Sequence, residues 1–229
     1  MSMAEKQYAY AVARIRSKEM NLLSGSFIDQ LLAAKSEEDC LRLLAERGWT
    51  GSAQAGENSR SHMDKTEEIL MAETEKTWEL MRELVQDMSV FDVFLYETDY
   101  HNLKASIKAV VTDTDPAGLM LEGGTIPPAD MVQAVKERQP EMLPEKMREP
   151  AEKAFSALLR TRDGQLCDRI LDKAALTAIG EAAAKSESQV IRAYGAEKVG
   201  AADIRIAARC ARTGKPLDFI RESLVPCPS

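Results

Sequence analysis

No proline occurs in this chain before Pro116. A proline inside a helix removes one hydrogen bond and clashes with the preceding turn. Half of the sequence therefore carries no such breaker, which permits long helices without requiring them. Periodicity supplies the requirement. Between Met63 and Met88, the residues Leu70, Met71, Thr74, Trp78, Met81, Leu84, Val85 and Met88 recur at helical spacing and form one stripe. Aromatic residues are only 5% of the chain, while Ala, Leu, Met, Glu and Lys are common. Those side chains lose little rotamer freedom in a helix. The expected fold class is all-α.

The same reading places the other elements. Tyr8 to Leu23 is helical and closed by Gly25. Ser26 and Ser36 each stand three residues before an aspartate (Asp29, Asp39), a capping pattern, and each opens a short helix. Thr50 to Ser61, rich in Gly, Ser, Asn and Gln, is a loop. Val90 to Tyr96 has strand-like composition, but it is short and lies between helical patterns, so it reads as a buried helical segment. Helical spacing resumes from Asp99 through Leu103, Ile107, Val110 and Val111, and breaks at Asp115-Pro116. A Gly/Pro loop (Leu119 to Pro128) and a short helix (Ala129 to Arg138) follow. A helix opening at Pro150 is expected, then one over Leu166 to Lys185. The last spans Asp203 to Arg212, with Gly214 and Pro216 beyond it.

Two stretches resemble each other. Asn102-Leu-Lys-Ala-Ser-Ile-Lys108 aligns with Asp203-Ile-Arg-Ile-Ala-Ala-Arg209 at an offset of 101 residues, 203 minus 102. Each places a polar residue first, an apolar residue second, and basic residues third and seventh. Downstream, Thr125-Ile126-Pro127 aligns with Leu224-Val225-Pro226. An internal duplication of a helical module is expected, since such modules bury a shared face by packing side by side. In the first copy a helix follows Pro127. In the second the sequence ends three residues after Pro226, which suggests a shortened version of a longer protein.

Charge and motif content restrict the chemistry. The net charge of −7 disfavours phosphate backbones, so nucleic-acid binding is not expected. No apolar run approaches the roughly 18 residues that span a bilayer, and the N-terminus has no apolar signal core. A soluble cytoplasmic protein is expected. Four cysteines at 40, 167, 210 and 227 form no C-x-x-C pair and read as isolated thiols. Gly51-Ser-Ala-Gln-Ala-Gly56 has the glycine spacing of a P-loop, but Glu57 and Asn58 replace the lysine and hydroxyl that phosphate and Mg²⁺ need. Glu97 and His101 are four apart, yet one Glu and one His make no metal site. No serine has a hydrolase-nucleophile setting. No catalytic residue, cofactor, metal or small-molecule substrate is expected. The helix Met63 to Asp87 holds eight acidic and three basic residues, either a solvated face or a contact for a basic partner. Arg205, Arg209 and Arg212 line the last helix: either a solvated stripe near its C-terminus, where the dipole favours cations, or a docking surface for an acidic partner. Arg14 and Arg16 carry the same two readings, although at two residues apart they point to different faces.

Three segments carry a family resemblance. Tyr8-Ala-Tyr-Ala-Val-Ala-Arg14-Ile-Arg16, followed by Leu22-Leu23, is similar to the opening helix of the C (d-type) subunit of V-type and A-type ATPases. Asp99-Tyr-His-Asn102-Leu-Lys104 resembles that family's recurring Asp-x-x-Asn-Leu-(Lys/Arg) element, and Asp203-Ile-Arg205 resembles a degenerate copy. The resemblance implies a non-catalytic linker between the central shaft and the membrane rotor ring of a rotary ATPase, engaged in proton or sodium transport. Its implied partners are shaft subunits and the ring, and its implied location is cytoplasmic, peripheral to the membrane. It also implies helical modules, normally three. Two are placed here, residues 1–140 and 150–229, the second shortened at its C-terminal end. An unrelated helical scaffold or adaptor is the alternative.

Overall fold

The computed structural model describes residues 3–49 and 62–226. Among them are ten α-helices, three short 3-10 turns and no strand: the fold is all-α. The glycine-rich segment 51–56 and the terminal residues 227–229 lie outside the described residues, and with them the P-loop-like spacing and Cys227. By packing, the chain divides into two compact units, Met1–Met88 and Ser89–Ser229.

The first unit contains α1 (Met3–Glu19), α2 (Gly25–Leu32), α3 (Glu37–Glu46) and α4 (His62–Leu84). Ser36 caps α3 as expected, accepting from the Asp39 N–H. For α2 the cap is Ser24 rather than Ser26: the Ser24 hydroxyl accepts from the Phe27 N–H, and Ser26 only meets the Ser24 hydroxyl. Phe27 is buried, with the Arg47 guanidinium 4.7 Å from its ring centre. Large apolar side chains such as Met20 and Leu32 stay exposed.

The second unit is built around α5 (Asp92–Thr112) and α8 (Gly164–Lys185). Helix α6 (Pro128–Lys136) packs on α5, α7 (Glu145–Thr161) packs on both α5 and α8, and α9 (Gln189–Arg212) packs on α8. The short α10 (Leu217–Ser223) lies on α9. Leu103, Ile107, Met131, Met147, Leu171 and Ile179 are almost completely buried where α5, α6, α7 and α8 meet. Asp163 caps α8, its carboxylate accepting from the N–H groups of Gln165 and Leu166. The α8–α9 crossing is close: a Cβ added at Gly195 would lie 2.1 Å from the Ala183 Cβ.

Four further expectations need correction. Val90 to Tyr96 and the segment from Asp99 are not separate elements. A 3-10 turn (Met88–Phe91) leads directly into the continuous α5. Helix α7 opens after Pro144 and carries Pro150 inside it. Pro150 has no N–H to give the Lys146 carbonyl one turn back, and the Tyr100 hydroxyl of α5 donates to that carbonyl at 3.1 Å. Tertiary packing thus supplies the bond whose loss argues, in sequence, for a helix boundary. The helix expected over Asp203 to Arg212 is only the second half of the 24-residue α9, whose glycines at 195 and 200 do not interrupt it. Finally α10 follows Pro216, where no helix was expected.

Candidate functional site

The polar residues of α5 that fall on its buried face hold one loop. Asp99 is fully buried and accepts from the Thr125 N–H at 2.8 Å, the Thr125 hydroxyl at 2.5 Å and the Ile126 N–H at 3.3 Å. One turn on, the Asn102 amide forms two 2.8 Å bonds with the backbone of Leu121, one donated and one accepted. His101 Nε2 lies 2.9 Å from the Leu119 carbonyl and so carries the proton there. Residues 119–126 are therefore strapped to α5 at three points. Gly124 permits the fit, because a Cβ there would come within 2.3 Å of Asp99 Oδ1. Burial pushes the Asp99 carboxyl above the usual carboxylate range, opposed by the bonds from Thr125 and Ile126 and by the charge of Lys146.

A second cluster sits one turn earlier. The Tyr96 hydroxyl donates to Asp92 at 3.2 Å, and the Lys146 ammonium lies over the Tyr96 ring and meets its hydroxyl. Burial pushes the Tyr96 hydroxyl well above its ordinary range and lowers the Lys146 ammonium. Beside these, a cleft of about 240 Å³ opens between α6 and α7, lined by Ile107, Val135, Leu143 and Phe155. The Arg138 guanidinium, also on its wall, lies 3.9 Å from the Phe155 ring centre.

The aligned second segment shows a related connection. Asp203 of α9 accepts from the Val225 N–H at 3.1 Å. Thus each polar-led heptapeptide sits on a helix tied to a downstream Ile-Pro or Val-Pro step. In the first, the tie to that step comes from Asp99, one turn before Asn102. In the second it comes from Asp203 itself, because Gly200 occupies the position that aligns with Asp99.

Of the arginines singled out in sequence, Arg14 is paired with Glu83 at 3.0 Å and with the Tyr10 hydroxyl at 2.9 Å. Arg16 pairs with Glu19 on its own helix at 2.7 Å. Arg205, Arg209 and Arg212 are exposed on one side of α9. Among the described residues, none of those three is in an ion pair, and Arg205 Nε bonds only to the Ala201 carbonyl of its own helix. Glu97 and His101, one turn apart on α5, have separate partners: Glu97 pairs with Lys198 of α9 at 2.8 Å, and His101 meets the Leu119 carbonyl. Among the described residues no group of three or more His, Cys, Asp or Glu side chains is placed to hold a metal ion. Cys167 is buried and its thiol is pushed up to about 11 by that burial. Sequence reasoning missed Tyr100 and Lys146 as structural partners. The available signal was polar Asp99, Asn102 and Ser106 recurring on the same face as Leu103 and Ile107, a pattern that places polar groups in a core.

The strap, α9 and its tie to Val225 all fall within one continuous stretch of similarity. A family model described as the ATP synthase (C/AC39) subunit matches residues 11–229. The chain belongs to the C/AC39 subunit family. No curated protein matches it. The C/AC39 family is one of generally non-catalytic ATP synthase subunits. In this C/AC39 chain the conspicuous polar groups of α5 hold backbone in place, and among the described residues no helix is long and apolar enough to cross a membrane.

Proposed function

We propose that this chain is the non-catalytic linker of a V-type/A-type rotary ATPase, coupling the central shaft to the membrane rotor ring during proton or sodium transport. The observation that carries the reading is the family match over residues 11–229. The physical requirement of such a part is stiffness, since torque is lost to any element that yields. The second unit meets it: α5 is clamped between α6, α7 and α8, and its long loop is bound to it through buried carboxylate and amide groups. Charge-assisted and paired hydrogen bonds away from water hold geometry better than apolar contact alone.

We also read the two aligned segments as copies of one helical module. The Asp99 and Asp203 ties favour two related modules, residues 1–140 and 150–229, arranged as in a subunit of repeated helical modules. We place the chain on the cytoplasmic side, peripheral to the membrane through the complex. Contact with partners is assigned to Arg205, Arg209 and Arg212, because Arg14 and Arg16 are engaged by their own unit.

The test is purification of the tagged chain from its native cells under mild detergent. Co-elution of shaft subunits and the membrane ring is expected. Membranes lacking the chain should retain ATP hydrolysis in the soluble sector but lose ATP-driven ion uptake. Recovery of the chain without any of these subunits, or full ion uptake in its absence, would rule the linker role out.

A further inference from the structure

Helix α9 uses one face on α8 and α10, burying Gly195, Val199 and Ala202. Another face is open along the whole helix. Val190, Ala193, Ala201, Ile204, Ala208 and Ala211 are all exposed, and at 100° per residue they fall within an arc of about 80°. Val190 is 77% and Ile204 72% exposed, unusually high for large apolar side chains on a packed helix. The intervening alanines make the seam shallow enough for another helix axis to approach to about 8–10 Å. Charge is polarised along it. Glu197 lies within the N-terminal part of the seam, while Arg205, Arg209 and Arg212 flank its C-terminal part. From Asp203 to Arg221 there are five basic and two acidic residues, in a chain whose net charge is −7, while Lys198 beside Glu197 is already paired with Glu97.

We propose that this face is the docking seam for an amphipathic helix of a partner protein, antiparallel to α9, acidic in its N-terminal half and basic in its C-terminal half. Antiparallel pairing sets the partner's acidic turns against the arginine row and places Glu197 against its basic turns. Acidic residues in the first turns also suit the partner's own dipole, and the two macrodipoles oppose favourably. Flanking charges of this kind choose orientation in paired helices. A membrane surface fits less well. Helices that lie in lipid present Trp, Phe and Leu, whereas this seam is mainly alanine and Glu197 would face anionic headgroups. The inference rests on the linker reading only for the partner's place in the cell.

Two synthetic peptides of about 22 residues, the length of the seam, test it against the full chain by fluorescence anisotropy. Both carry a leucine seam and the same composition. One has glutamates in its first half and lysines in its second, and the other has the reverse order. The first should bind at least tenfold more tightly, with an affinity that falls as salt is raised. Ile204→Glu, and separately Arg209→Glu with Arg212→Glu, should each weaken it at least tenfold. These positions are exposed, so unchanged far-UV circular dichroism and melting temperature are expected in both variants. Equal affinity of the two peptides overturns the proposal, as does variant binding like that of the unaltered chain. So does a self-associated chain that Ile204→Glu disperses in sedimentation, or binding to phosphatidylserine vesicles with neither peptide bound. If the peptides fail while the tagged chain still co-elutes with shaft and ring, only the seam falls. If the seam binds as stated and co-elution fails, the linker role falls instead.

Discussion

Asp99 and Thr125 are bonded twice, the carboxylate of one helix residue receiving both the N–H and the hydroxyl of one loop residue 26 positions on. Asp99 is fully buried, so its carboxylate has no water to turn to in place of these bonds. Replacing it by alanine would remove the acceptor that the Thr125 and Ile126 N–H groups share and leave a cavity at a fully buried position. Asp99→Ala should cost about 3 kcal/mol or more in denaturant unfolding. Thr125→Val, which removes only the hydroxyl, should cost less.

The same carboxyl gives a pH dependence with a definite sign. Burial raises it above its ordinary 3.8. Between that value and its folded value, the folded chain binds more protons than the unfolded chain, so stability falls as pH rises through the window. The measurement is the difference in unfolding free energy between the unaltered chain and Asp99→Asn, which lacks the titrating group. That difference should be most favourable to the unaltered chain near the acid end and shrink toward neutrality. A difference that grows with pH would show that hydrogen bonding, rather than burial, sets the carboxyl's charge state.

Tyr100 and Pro150 are coupled through the Lys146 carbonyl between them. Tyr100→Phe leaves that carbonyl without its donor and should cost about 1–3 kcal/mol. In a chain carrying Pro150→Ala the restored N–H can reach the same carbonyl, and the Tyr100→Phe cost should shrink by about 1 kcal/mol. A double-mutant cycle reads this directly, and strict additivity would exclude the coupling.

Gly195 is set by its neighbour rather than by a turn. Its φ is not positive, yet the Ala183 methyl occupies the space its side chain would need. Gly195→Ala should lower stability by about 1–3 kcal/mol through overpacking. Adding Ala183→Gly should recover part of the loss, measured by thermal unfolding.

Asp203 bears on the relation between the two halves. Asp203→Ala should expose the Val225 N–H and speed its hydrogen exchange, with a stability cost of about 1 kcal/mol. Exchange at Leu121 and Thr125 should not change. Asp203→Asn keeps an acceptor and should preserve protection at Val225.

What the sequence determined by itself is the helical character and the family. Helix-forming composition, the proline-free first half and apolar spacing act locally, within one or two turns. They therefore marked α4, α6 and α8 to within a few residues at each end. The motif Asp99 to Lys104 was legible because its residues lie on a single helix. Tertiary structure decided what local signals cannot carry. Whether Pro150 ends a helix depended on a hydroxyl 50 residues away, and whether Gly195 interrupts one depended on the methyl it packs against. The role of Asp99 depended on which loop folded back upon it. The arginines show the same division: in sequence Arg14 and Arg209 looked equivalent, and only the fold put Glu83 beside one of them while leaving the other facing solvent.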